Sequence, residues 1–252
     1  MPKDLPRTLA LTITALFLLY PLWGLASPVG RWQWGAADAS PALATSFALT
    51  GVALLIVVAI GTPLAFSLRG ATRAVRITFE AVVLLSVLMP PLALGLLLAL
   101  AFGPGTALGS LLLRLGIPTS NDSTAFVVTQ IYASLGYYLL GAAAAFEAVP
   151  RELEQSAALL GLRPREVLWR ITLPLARLGL AAAVSLAWVR ALGEFGAIMV
   201  TAYYPHGIPV QLWVDLQDSG LPAVLPLLLV FLLSALPLPW ALRILARTRG
   251  HA

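Results

Sequence analysis

The feature that most constrains this chain is the length and spacing of its apolar stretches. Reading those stretches against proline, glycine and charge punctuation gives six helices, at about Leu9 to Leu25, Ala42 to Leu68, Ile77 to Phe102, Thr124 to Phe146, Leu178 to Val200 and Leu221 to Leu245. Each approaches or exceeds the roughly 20 residues that cross a hydrocarbon core as helix, and no alternating strands of about ten residues suggest a barrel. Only 11% of the residues are charged, whereas an ordinary soluble domain carries about a quarter. The expected fold is all-α: a polytopic membrane protein, one unit over residues 1–252, without an internal repeat or a separate soluble domain.

Charge distribution sets the expected orientation. With both termini in the cytoplasm, the inner segments hold Lys3 and Arg7; Arg69, Arg73 and Arg76; Arg151, Arg163, Arg165, Arg170 and Arg177; and Arg243, Arg247 and Arg249, which is 13 of the 16 basic residues. Arg31 and Arg114 fall outside, and Arg190 falls within the fifth span. Such a bias is the positive-inside pattern. It also accounts for a net charge of +5 without nucleic acid, because the arginines are scattered between spans rather than gathered in one basic domain. Trp32 and Trp34 suit an outer aromatic belt or packing in the first outer loop.

Other classes are narrowed by absences in the sequence. There is no cysteine, hence no disulfide and no thiolate chemistry. The only histidines are His206 and His251, and neither HExxH, GxSxG nor GxxxxGK[ST] occurs, which argues against a membrane enzyme and against ATP hydrolysis by this chain through a phosphate loop. The N-terminal run could be a signal peptide cut after Ala26, but its apolar stretch is longer than such peptides usually carry, so retention as a first span is expected.

One segment breaks the pattern. Between Pro150 and Pro174, PRELEQSAALLGLRPREVLWRITLP concentrates charge between hydrophobic spans. Pro150 suits a first helical turn, Leu153, Ala157 and Leu160 form an apolar stripe, Gly161 suits a left-handed cap, and Pro164 can open a second short helix. Pro174 is expected to block its continuation into the fifth span. This helical hairpin could lie at the lipid interface. Its mixed charge, with Glu152, Glu154 and Glu166 among arginines, fits better a groove on a protein partner that pairs both signs.

Inside the membrane, Arg190 and Glu194 are i, i+4 neighbours in WVRALGEFG. A charge at a helix centre costs about 2.5 to 3.5 kcal/mol on insertion scales, so something must compensate both. Either they form a static pair locking the bundle, or they border a polar pathway in which Arg190 helps an anion past and Glu194 limits how tightly it is held. Gly193 and Gly196 leave room for close helix contact, at a dimer axis or within one subunit. Pro90 and Pro91 should kink the third span, whether or not they line a pathway. Glu80 is expected to snorkel to the inner interface, and His206, Asp215 and Asp218 lie in an outer solvated loop or at a partner contact.

These stretches carry a family resemblance. LEQSAALLGLRPREVLWRITLP resembles the cytoplasmic loop of bacterial ATP-binding-cassette importer permeases, E-A-A, three residues, G, nine residues, I-x-L-P. Ala157, Gly161, Ile171, Leu173 and Pro174 match it, with Gln155 standing at the Glu position and Ser156 at the first Ala. WVRALGEFGAIMV and MPPLALGLLLALAFGPGTALG resemble the molybdate, tungstate and sulfate branch, and the likeness covers about residues 50 to 245. TAYYPHG stands where that branch often has G-N after the fifth span.

The resemblance implies a homodimeric, channel-forming permease in a prokaryotic plasma membrane, with two cytoplasmic ATPase subunits and an extracytoplasmic oxyanion-binding protein. ATP and Mg would be bound by the ATPase subunits, and no cofactor by this chain. It implies that Glu154, Gln155, Ser156, Ala157, Gly161, Leu162, Arg163, Pro164, Arg165, Ile171, Leu173 and Pro174 form the ATPase-docking loop. Arg190, Gly193, Glu194, Gly196, Pro90 and Pro91 are the candidates for the translocation pathway. Molybdate or tungstate is the expected cargo and sulfate the alternative. A secondary transporter is the rival class, since a membrane-embedded ion pair and proline-broken helices also suit ion coupling.

Overall fold

A computed structural model describes residues 5–25 and 39–248, without the side chains of residues 5–7, 243 and 245–248. Lys3, Ala26, Arg31, Trp32, Trp34, Arg249 and His251 lie outside the described residues, as do the side chains of Arg7, Arg243 and Arg247. The described residues are mostly helical and hold no strand, with α1 Leu5–Leu19, α2 Ser40–Ser67, α3 Arg73–Leu88, α4 Pro91–Phe102, α5 Ala107–Arg114, α6 Ser123–Glu147, α7 Arg151–Leu159, α8 Pro164–Val167, α9 Leu173–Leu192, α10 Gly196–Thr201, α11 Ile208–Ser219, α12 Leu221–Ala235 and α13 Pro237–Thr248. Five helical stretches are long and apolar enough to cross a membrane, and a bent pair makes a sixth. The expected polytopic all-α architecture is the one found.

The core forms around α6, which packs against α2 on one side and α9 on the other. Small residues allow the approach: a Cβ at Gly61 would lie 2.6 Å from the Tyr138 ring, and one at Gly179 only 2.5 Å from the Ala145 Cβ. Lipid is as apolar as leucine, so helices in a bilayer associate through such close packing and through buried hydrogen bonds rather than by expelling water. The Tyr138 hydroxyl shares a 2.6 Å bond with Thr62, and Phe146 meets Phe66 edge to face at 5.4 Å between ring centroids. Most leucines on α1, by contrast, are exposed along its length.

Two spans differ from the sequence expectation. The third is not a kinked helix: α3 and α4 meet at 109° across Met89 and Pro90. Proline bars its predecessor from helical geometry and lacks its own N–H, and two in succession leave Met89 and Pro90 both extended. The fifth span begins earlier and breaks sooner than expected. Pro174 does not stop it, since one helical path runs from Pro164 to Leu192.

The widened π turn at Leu168–Thr172 precedes the proline and relieves the clash its ring makes with the preceding turn in a regular α-helix. The path then breaks at Gly193, and the short α10 follows. At the sixth span, α12 gives way to α13 at Leu236 and Pro237. The short helices α5 and α11 are additions that apolar length does not reveal.

Candidate functional site

The charged segment folds as the predicted hairpin. Pro150 stands just before α7 rather than within it. Gly161 ends the helix at φ +90°, with its N–H on Ala158 O at 3.0 Å and the Leu162 N–H on Ala157 O at 3.1 Å, the paired closure of a Schellman cap. At the start of α8 the Glu166 carboxylate accepts the Arg163 N–H at 2.8 Å. Both caps are local chemistry, and the turn is legible in the sequence through Gly161 and Pro164.

The predicted stripe divides. Ala157 is buried, Leu153 is about half exposed, and Leu160 is bare because the helix ends before it. The outer surface of the elbow therefore carries Leu159, Leu160 and Trp169, exposed by 89%, 82% and 62%. Gln155, Ser156, Arg163, Pro164 and Arg165 are exposed beside them. Leu162 lines a recess of about 550 Å³ together with Gln155, Glu154, Arg151 and Thr172. Ile171 and Leu173 are partly buried against the body, and Pro174 is exposed.

Glu154, unlike its exposed neighbour Gln155, is partly buried and bonded to the body. Its carboxylate accepts from Arg69 at 2.6 Å and from the Thr172 hydroxyl, while Arg69 also donates to Val149 O at 3.1 Å. The elbow is thereby tied to the α2–α3 turn and to the foot of α9. Burial alone would raise the Glu154 pKa, but the Arg69 and Thr172 hydrogen bonds, with the Arg69 and Arg151 charges, outweigh it and hold the carboxyl below its ordinary value of 4.5. Arg69 and Thr172 are contributors that sequence reasoning missed, because neither is near Glu154 in the chain.

The second cluster lies where the two broken spans meet. Arg190, near the end of α9, donates to Glu194, whose other oxygen accepts the Ala197 N–H at 2.8 Å. Glu194 is almost fully buried and Arg190 partly so, with its guanidinium carbon 5.6 Å from the Tyr137 ring centroid. The pair spans the helix break, so the carboxylate also satisfies a backbone donor which that break leaves free. A Cβ at Gly196 would lie 2.9 Å from Pro91 Cβ, and one at Gly95 only 2.8 Å from Ala197 Cα. Gly196 thus serves packing within the chain, while Gly193 is exposed and meets only its own turn.

Beside this junction Gln130 donates to Thr50 Oγ1 at 2.8 Å and to the Ala191 carbonyl at 3.0 Å, and Thr129 shares a 2.7 Å bond with Thr201. Sequence reasoning missed Gln130 and Thr50, although a glutamine in an apolar span was the available signal. Toward the other end, Asp215 is buried on α11 and accepts from Gln211 at 2.8 Å rather than lying in a solvated loop. His206 packs edge-on against Tyr203 and Tyr204. Glu80 stays exposed and pairs with Arg76 at 2.8 Å. Among the described residues no group of three His, Asp or Glu side chains converges as a metal site would.

A bundle of membrane-crossing helices with two broken spans meeting at a polar junction, and a proline-bounded elbow projecting from it, is the architecture of an importer's membrane subunit. The chain belongs to the family described as binding-protein-dependent transport system inner membrane component, whose match covers residues 57–250. It is 34% identical to the probable molybdenum ABC transporter permease protein of Haloferax volcanii, over 89% of this chain and 84% of that one. It is 32% identical to the molybdenum transport system permease protein ModB of Mycobacterium tuberculosis, over 91% of each. A solved bacterial alginate ABC transporter, in complex with a periplasmic protein bound to an alginate pentasaccharide, shares its fold at a TM-score of 0.76 and 18% identity, covering 98% of this chain and 95% of that one.

Proposed function

We propose that this chain is the channel-forming subunit of an ATP-driven importer of molybdate or a closely similar tetrahedral oxyanion, working as a homodimer with two ATPase subunits and an extracytoplasmic binding protein. The observation that carries the reading is the elbow. It exposes Leu159, Leu160 and Trp169 at its surface while Glu154 locks its inner face to the body. A helix that exposes leucine and stays rigidly fastened at its root suits insertion into a partner's cleft. Gln155, Ser156, Arg163 and Arg165 then contact the ATPase, and Glu154 transmits the displacement instead of making the contact.

Motion enters at the elbow and runs along one helical path from Pro164 to Leu192. That path ends at the Arg190–Glu194 junction, against α4. A shift of α9 therefore bears directly on the meeting point of the two breaks, where Arg190, Gly193, Glu194, Gly196, Pro90 and Pro91 border the route. A cation with a resident carboxylate can assist a dianion without retaining it, which transport requires. Both termini and the elbow are cytoplasmic in this reading.

The test is uptake by proteoliposomes holding the permease, the ATPase and the binding protein. Molybdate should accumulate only with ATP inside and binding protein outside, with tungstate and sulfate as competing anions. Uptake without an ATPase, driven by an ion gradient alone, would establish the secondary-transporter alternative instead.

A further inference from the structure

At the root of the elbow, four arginines gather around one recess of about 450 Å³: Arg69, Arg73, Arg76 and Arg151, with Leu68 and Ile77 beside them. Two of the four are already neutralised, Arg69 by Glu154 and Arg76 by Glu80 and Glu147. Among the described residues no carboxylate stands within ion-pair distance of Arg73 or Arg151. Arg151 is oriented by a 2.8 Å bond to the Arg69 carbonyl, which leaves most of its guanidinium donors unused. Two exposed guanidinium groups at one recess make a forked donor set suited to phosphate oxygens.

What lies next to the recess narrows the ligand. Arg73, Ile77, Ala81, Leu84 and Leu88 are all exposed, and their spacing of four, four, three and four residues puts them on one face of α3. The arginine thus heads an apolar stripe that runs along α3, the first arm of the bent third span. Free phosphate has no use for such a stripe, and a cytoplasmic partner cannot reach along it. A glycerophospholipid matches both parts, with its phosphate at the arginines and an acyl chain on the leucines.

We propose that this recess binds the phosphate headgroup of an anionic glycerophospholipid, bridging the start of α3 to the start of α7 and steadying the elbow at its root. The proposal rests on the cytoplasmic placement of the elbow given above, but lipid retention can be read without transport. Purified complex in nanodiscs of phosphatidylcholine, with or without phosphatidylglycerol, is compared by native mass spectrometry and by ATPase rate. Wild type should retain phosphatidylglycerol through delipidation. Arg73→Gln with Arg151→Gln should weaken that retention about 25-fold, each arginine near a membrane surface being worth about fivefold.

The double Lys variant, which keeps the charge, should hold the lipid far better than the double Gln variant. Equal retention of neutral and anionic lipid by wild type overturns the proposal whatever the variants do. So does displacement of phosphatidylglycerol by millimolar inorganic phosphate, which would make the recess a soluble-anion site. Loss of the ATPase subunit from the double Gln variant, with lipid retention unchanged, would assign the arginines to the partner instead.

Discussion

At the scale of single residues, two ion pairs do different work. Arg69–Glu154 fastens the elbow from a largely buried position at its root, and hydrogen bonds to charged groups of this kind contribute about 1.5 to 3 kcal/mol. Glu154→Gln should lower the melting midpoint of the purified complex, and the pH dependence has a fixed sign. A carboxylate held below 4.5 when folded contributes its stability above that value and loses it as pH falls through the depressed folded value. Melting curves of wild type and variant should accordingly converge below about pH 4.5. A gap that does not narrow at all as pH falls through the acid range would show that the charge is not what matters.

Arg190–Glu194 holds a fully buried carboxylate, and removing only that carboxylate strands a guanidinium, at a cost of about 3 to 5 kcal/mol. Glu194→Gln should be more destabilising than the double change Arg190→Gln with Glu194→Gln. If Arg190 also serves the anion, the double variant recovers thermal stability without recovering molybdate uptake. Recovery of both would make the pair purely structural.

At the scale of elements, the decisive contact is between α4 and α10, two short helices each created by a break. Gly95→Ala would put a methyl carbon 2.8 Å from Ala197 Cα and 2.9 Å from its carbonyl oxygen, and backbone cannot swing aside as a side chain can. The expected cost is about 1 to 3 kcal/mol, with uptake falling more than the ATPase rate because the junction is forced open. The elbow makes the opposite prediction. Leu159→Ser with Leu160→Ser removes nothing from the core, so melting should hold while ATPase co-purification falls at least about tenfold, as expected when central apolar anchors of an interface are lost.

The elbow's turn was legible because Gly161 and Pro164 act on their own stretch of chain, whereas the Glu166 cap emerged only with the structure. The π turn that carries the helix past Pro174 was not legible, since regular helix and widened turn have the same residues to work with and only packing chooses between them.

For the whole molecule, the expected assembly is two copies of this chain with two ATPase subunits, and the mass of the detergent-solubilised complex checks it. A 26.7 kDa chain should appear twice per particle. A particle holding one copy would overturn the dimeric reading. Span number and orientation bias came from apolar length and the scatter of arginines. Both are sums over local sequence that a bilayer reads almost residue by residue.

The sequence by itself determined that the chain crosses a membrane as helices, where its charged elbow falls, and that Arg190 and Glu194 sit one helical turn apart within a span. Only the tertiary structure decided that Pro91 meets Gly196, that Gln130 reaches the Ala191 carbonyl, and that Glu154 turns inward to Arg69 and Thr172. Those contacts join residues 18 to 105 positions apart, and they form only once small side chains let the helices close on one another. A hydrophobic run carries its own free energy of insertion, whereas the partner of a broken helix is chosen by packing across the bundle.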